Sequence, residues 1–186
     1  MTIRVTPPSW GRPRGGFVGA PDSNCPFGGA RSYLEHVPER LVVDGLRLWA
    51  AGYVTRDIQP WGEAWNLYAA TLGQIGARQA LGPLSQWVKA LFLWRPEEPK
   101  TFCQGCRLIC RDECLGAAMI AACQHEDWEC LALVAERLGG PAGQTEVTEA
   151  ARAFALTLVA LDQRLMHVPA NVVRSLVDEP PTQSYH

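Results

Sequence analysis

From Ser32 onward, apolar residues recur every three or four positions rather than at every second position. Alternation is typical of strands, whereas spacings of three and four place apolar side chains on one face of a helix. One segment has Leu84, Trp87, Val88, Leu91 and Trp94 at i, i+3, i+4, i+7 and i+10. Runs of β-branched residues bounded by hairpin turns do not occur. The sequence therefore predicts an all-α fold, a compact bundle of six to seven helices.

Glycine and proline mark the ends of the folded part. Residues 1–29 contain five prolines and six glycines, a density that breaks regular structure. We interpret residues 1–29 as a flexible or partner-bound arm, residues 30–177 as a single helical domain and residues 178–186 as a C-terminal tail. The chain shows no repeat of fixed period, which favours a bundle over a solenoid.

Start and stop signals predict the individual helices. Pro38 begins the first, in which Gly45 and Gly52 allow a close approach of another helix. Asp127 is a candidate N-cap for the fifth. The predicted bounds are Pro38 to Tyr53, Pro60 to a stop at Gly82-Pro83, Pro83 to a stop before Pro96, Phe102 to Gln124, Asp127 to Leu138, Val147 to Leu165, and a short helix from Ala170 to Val177.

Charge and hydropathy exclude two classes of partner. The 186-residue chain has 19 acidic and 17 basic residues, so it lacks the basic surface that nucleic-acid binding needs. Its longest apolar stretch, from Leu115 to Cys123, is about half of the roughly 20 residues that cross a bilayer. Pro7, Pro8 and Pro13 argue against an amphipathic import helix. We therefore expect a cytoplasmic protein with no membrane span and no bound nucleic acid.

Six of the seven cysteines lie between Cys103 and Cys130. Cys103, Cys106, Cys110 and Cys114 are spaced C-x2-C-x3-C-x3-C, which on a helix places all four thiols in one stripe. Cys103 and Cys114 would then lie about 16 Å apart, too far for one metal ion. Two alternatives remain: Gly105 leaves Cys103 and Cys106 in a loop, or neighbouring pairs bind Cu(I) as a polynuclear array.

Cys123, His125 and Cys130 form a second candidate set around the turn that follows the predicted cysteine helix. With one further ligand they could hold Zn²⁺ or Cu(I), and an oxidised pair could form a disulfide. The predicted cofactors are thus Cu(I), Zn²⁺ or an iron–sulfur cluster. The competing interpretation is packing, because cysteine is a small side chain that is readily buried between helices.

The stripe of Cys103, Cys106, Cys110 and Cys114 distantly resembles the cysteine-lined helices of bacterial copper storage bundles. The resemblance covers one helix and implies Cu(I) binding by thiolates. Those bundles repeat Cys-x3-Cys on several helices, whereas the first, second, third and sixth predicted helices here contain no cysteine. High-capacity storage is therefore not predicted.

Two functional hypotheses follow. The first is a small non-catalytic accessory protein that docks on a larger protein, or on copies of itself, and has a thiol-based metal-handling or redox role. Tryptophans in the first three helices, such as Trp61 and Trp65, suit either a core or such a contact. The second is a dedicated cysteine-rich metal-binding protein. A cysteine-dependent enzyme is a weaker third, since the sequence lacks the common catalytic motifs.

Overall fold

The computed structural model describes residues 33–95 and 98–178. In these two ranges the chain is helical and has no strand, which confirms the predicted all-α class. The described helices number five, against the six or seven predicted. They are α1 (Val37–Thr55), α2 (Gln59–Trp94), α3 (Arg111–His125), α4 (Trp128–Ala160) and α5 (Ala170–Asp178). The predicted arm lies outside the described residues.

Helix α3 occupies the centre of the bundle. Every residue from Asp112 to Gln124 is buried. Other helices surround the stretch from Leu115 to Cys123. This explains why the stretch is apolar on every face, as expected for a helix in a protein interior. Helices α1 and α4 pack along α3, α2 packs along both α1 and α4, and short α5 covers α4 and part of α3. In the described ranges, no helix combines the length and hydropathy that a membrane crossing requires.

The close approach predicted at the two glycines of α1 is confirmed. A Cβ atom added to Gly45 would lie 2.5 Å from the Tyr68 hydroxyl, and one added to Gly52 would lie 2.2 Å from Trp61 Nε1. The Tyr68 hydroxyl is fully buried and donates a hydrogen bond to the Leu41 carbonyl. These two glycines therefore let α2 contact the backbone of α1.

The predicted helix stop at Gly82-Pro83 is wrong. Helix α2 continues through Pro83, and its break lies at Gly73, which has φ 73° and ψ 168°. Proline disfavours helical backbone at the preceding residue partly through that residue's Cβ, which Gly82 lacks. The buried side chains of Leu84 and Trp87 then keep the helix in register with the core.

The predicted break at Gly139-Gly140-Pro141 is confirmed. Gly140 has φ 60° and ψ −179°, a conformation suited to glycine and to a residue before proline. The chain resumes a helix at Pro141, so α4 consists of two helical segments that meet at a kink at Gly140. The start of that element is also confirmed, because the Asp127 side chain accepts a hydrogen bond from the backbone N–H of Cys130.

The tryptophans divide between core and surface. Trp87 is completely buried and stacks on Phe154, with ring centroids 5.8 Å apart. Trp49 and Trp61 stack at 5.8 Å and are half-buried. Trp94 and Trp128 are 38% and 56% exposed, the latter beneath the Arg152 guanidinium. The core interpretation thus holds for Trp87, while Trp94 and Trp128 present aromatic surface.

Candidate functional site: a dithiol turn on a clamped loop

The helix that was predicted to begin at Phe102 begins at Arg111, as α3. Residues 100–110 instead form an irregular segment, which we call the thiol loop. Of the four cysteines in the predicted stripe, only Cys114 lies within the helix, while Cys110 is its N-cap. The single helical stripe is therefore wrong, and the loop alternative is the one observed for Cys103 and Cys106.

Two carboxylates in the first turn of α3 hold the backbone of the thiol loop. Asp112 accepts a hydrogen bond from the backbone N–H of Lys100 (2.8 Å). Glu113 accepts hydrogen bonds from the backbone N–H groups of Phe102 (2.7 Å) and Cys110 (2.8 Å). Glu113 is completely buried, so these bonds form in an environment where water does not compete. The loop is therefore attached to α3 along its length.

Arg47 of α1 completes the attachment from the opposite side. Its guanidinium donates to both oxygens of Glu113 (2.7 and 3.0 Å), to Asp44 (3.2 Å) and to the backbone carbonyls of Cys106 and Leu108. These contacts use all five guanidinium N–H donors. Burial disfavours the charged form, but the hydrogen bonds to Glu113 and Asp44 and the negative charges of these two carboxylates together outweigh burial and raise the pKa of Arg47.

Arg95 adds a third charged contact beneath the loop. Its two terminal nitrogens donate to the two oxygens of Asp112, at 3.1 and 3.3 Å. Asp112 is thereby oriented toward the Lys100 N–H. Sequence reasoning missed this network. The available signals were two charged residues, Asp44 and Arg47, on an otherwise apolar stretch of α1, and a glutamate three residues after the residue that caps α3.

Cys103 and Cys106 lie at the two ends of a tight turn. The backbone N–H of Cys106 donates to the Cys103 carbonyl (3.2 Å). Gly105 has φ 75°, the positive φ that a type II β-turn requires at its third position. Cys103 is exposed and Cys106 is half-buried. We call residues 103–106 the dithiol turn.

The contacts of Cys110 and Cys114 indicate structural roles. The Cys110 thiol donates to the Lys100 carbonyl at 3.0 Å and takes part in the capping box of α3. Burial, followed by the negative charge of Glu113, raises the pKa of the Cys110 thiol far above its ordinary value. Cys114 is 1% exposed in the core. These two thiols therefore serve as cap and packing residues in the described structure.

The second predicted set lies at the junction of α3 and α4. Cys123 and Cys130 are both buried, and burial raises the pKa of Cys123 to about 12 and that of Cys130 to about 11. His125 does not join them: its Nε2 contacts the Leu165 carbonyl at 2.8 Å. Its ring instead lies edge-on to that of His167, which contacts Asp127 at 3.0 Å. None of the six described cysteines forms a disulfide.

Metal binding by the predicted residues stays a prediction. Across residues 33–95 and 98–178, no three His, Cys, Asp or Glu side chains are grouped so that they could hold one metal ion. The structure brings Cys103 and Cys106 together on one turn, and it separates them from Cys114, Cys123 and Cys130.

A groove of about 520 Å³ lies beside the dithiol turn, and Cys103 and Gln104 form part of its wall. The second half of α1 and the start of α2 form the opposite wall. Val54, near the end of α1, is 53% exposed there. Phe102 and Lys100 of the thiol loop also line it. The space in front of the Cys103 thiol is therefore open to a ligand or a partner.

Comparisons with protein-family models, with curated proteins and with solved structures find no match to this chain.

Proposed function

We propose that this chain is a small accessory protein that binds one soft metal ion between Cys103 and Cys106 and presents it to a larger partner. Cu(I) is the first candidate and Zn²⁺ the second, because thiolate ligands select soft cations. A C-x2-C pair is a common unit of such sites. Binding releases the two thiol protons, so affinity should fall in acid.

The observation that carries the proposal is the clamping of the dithiol turn on both sides. Buried charged side chains hold the backbone at Lys100 and Phe102 before the turn, and at Cys106, Leu108 and Cys110 after it. A ligand pair on a rigid support loses little conformational entropy when the ion binds.

The exposure of Cys103 supports a role in transfer rather than in closed storage. An exposed thiolate can be approached by a ligand of a second protein, and the neighbouring groove gives that ligand room. Two large apolar residues, Val54 and Ile58, are 53% and 71% exposed where α1 turns into α2. A partner that approaches the dithiol turn over this surface would cover them.

Anaerobic titration with Cu(I) against a competing chromogenic chelator tests the metal part. We expect wild type to withhold one Cu(I) from the chelator and the variant Cys103→Ser/Cys106→Ser to lose this binding. The matched control, Cys123→Ala/Cys130→Ala, also lacks two thiols but should bind as wild type does. Circular dichroism checks that each variant is folded. Equal binding by the two double variants would contradict the proposal.

Sedimentation of the Cu(I)-loaded chain tests whether the partner is a second copy. A dimer that forms on loading and is lost in Val54→Asp/Ile58→Asp would identify a homo-oligomer. A monomer at all loadings would favour a different protein as the partner.

A further inference from the structure

Beyond metal binding, we propose that the same dithiol reduces accessible disulfides, with Cys103 as the attacking thiol and Cys106 as the resolving thiol. This activity does not depend on a bound metal ion. The ligand chemistry is a disulfide whose sulfur atoms reach the protein surface, in either a low-molecular-weight disulfide or an exposed protein segment.

The turn geometry allows the two thiols to join. A β-turn closed by the bond from the Cys106 N–H to the Cys103 carbonyl keeps the two Cα atoms within about 7 Å. Disulfides span Cα separations of about 4.4–6.8 Å. Because Arg47 holds the Cys106 carbonyl, oxidation requires rotation of side chains within the turn rather than movement of the loop.

The difference in exposure assigns the two roles. Cys103 is exposed and lines the groove, which provides space for the in-line approach of a disulfide. Cys106 is half-buried behind it, so a bulky substrate reaches Cys103 first. Once a mixed disulfide has formed at Cys103, the Cys106 thiol is the neighbouring nucleophile on the same turn.

The exchange takes place in two balanced steps. The Cys103 thiolate attacks one substrate sulfur, which forms a mixed disulfide and releases the other substrate sulfur as a thiolate. The Cys106 thiolate then attacks Cys103 Sγ, which forms the Cys103–Cys106 disulfide and releases the second substrate thiolate. The substrate gains two electrons, and the two protons of the cysteine thiols balance its two thiolates. Two molecules of a low-molecular-weight thiol then reduce the Cys103–Cys106 disulfide and leave as their own disulfide, so net turnover needs a different substrate disulfide.

The other described cysteines do not compete for the substrate. Cys110 is hydrogen-bonded to the Lys100 carbonyl, and Cys114, Cys123 and Cys130 are buried. Thiols that stay protonated and inaccessible react slowly with disulfides. The exchange should therefore leave one defined product, the Cys103–Cys106 disulfide.

The test mixes reduced, metal-free full-length chain with a chelator and either glutathione disulfide or insulin. The products are trapped with iodoacetamide and mapped by peptide mass spectrometry. Wild type should form the Cys103–Cys106 disulfide, and Cys106→Ser should accumulate a mixed disulfide at Cys103. In a Cys25→Ser background, Cys103→Ser should react at least about tenfold more slowly, since the described thiols that remain are half-buried or buried. Cys130→Ala serves as the control and should match wild type.

Reaction with glutathione disulfide or with insulin supports the proposal and identifies the source of the substrate disulfide. Reaction with neither overturns it. A mixed disulfide in Cys106→Ser at a described cysteine other than Cys103, or a wild-type rate for Cys103→Ser in the Cys25→Ser background, also overturns it. Because the assay contains no metal ion, its failure would leave the Cu(I) titration unaffected, and the two proposals are tested separately.

Discussion

Arg47 and Glu113 are 66 residues apart in the sequence and form a doubly hydrogen-bonded ion pair in the protein interior, with Nε–Oε1 and Nη2–Oε2 distances of 2.7 and 3.0 Å. Arg47 also holds the backbone carbonyls that follow the dithiol turn, and Glu113 holds the backbone N–H of Phe102, which precedes it. One buried pair thus connects α1, α3 and the thiol loop.

Replacing Arg47 by methionine should lower the free energy of unfolding by about 3–5 kcal/mol, because it leaves the buried Glu113 carboxylate without its cation. Urea denaturation measures the change. Arg40→Met, on the exposed side of the same helix, is the control and should change stability by less than about 0.5 kcal/mol. Similar losses in both variants would mean that the ion pair does not stabilise the fold.

The double variant Arg47→Met/Glu113→Leu should remain less stable than wild type. Removing both members of a buried pair often restores stability. Here the two side chains also form hydrogen bonds with four backbone groups of the thiol loop and with the Asp44 carboxylate of α1. A hydrocarbon side chain cannot form these bonds. Full recovery of wild-type stability in urea denaturation would contradict the clamping role.

Gly52→Ala should destabilise the protein by about 1–3 kcal/mol, because the new methyl group would overlap Trp61. Gly62→Ala should stabilise it by about 0.5–1 kcal/mol, since Gly62 is exposed within α2 and a Cβ there meets nothing within 4 Å. Thermal unfolding of the two variants compares them directly. If both substitutions shifted the melting temperature in the same direction, the close contact between α1 and α2 would not determine the effect of Gly52→Ala.

Limiting iodoacetamide at pH 8 should modify Cys103 before the other described cysteines. Cys103 is exposed, whereas Cys123 and Cys130, with pKa values of about 12 and 11, are almost entirely protonated and buried. Peptide mapping at successive times measures each site separately. In urea the buried cysteines should become reactive. Early labelling of Cys130 in the folded protein would contradict this order.

Asp127 should make the stability of the fold depend on pH in the acid range. The backbone N–H of Cys130, and then His167, lower the pKa of Asp127 in the folded state. A carboxylate with a depressed folded pKa stabilises the fold above its unfolded pKa of about 3.9, and this contribution is lost as the pH falls through the folded pKa. Melting temperatures from pH 6 to pH 3 should therefore fall more for wild type than for Asp127→Asn.

The control for this comparison is Glu136→Gln, at an exposed position of the same helix. Its melting temperature should follow that of wild type over the whole pH range. If Asp127→Asn and Glu136→Gln gave the same profile, the cap of α4 would not be the source of the acid sensitivity.

Local sequence signals predicted several elements well. The Pro38 start of α1, the Asp127 cap, the break at Gly140 and the short helix near Ala170 all match the described structure within one or two residues. Each of these features follows from the backbone conformation that the named residue, or the residue next to it, prefers. The prediction was wrong at Gly82-Pro83, where packing of Leu84 and Trp87 outweighs the local preference against helix.

By itself the sequence determined the helical class, most helix starts, and the existence of a cysteine-rich segment that Gly105 could take out of a helix. Helical periodicity alone extended α3 back to Phe102 and joined four cysteines into one stripe. Only the tertiary structure placed Cys103, the one exposed thiol of the described residues, on a turn with Cys106, and set Cys110 at a helix cap and Cys114, Cys123 and Cys130 in the interior. The reason is that Arg47, Asp112 and Glu113 form hydrogen bonds to the loop backbone that replace those of a helix, and the pairing of Arg47 with Glu113, 66 residues away, leaves no local pattern in the sequence.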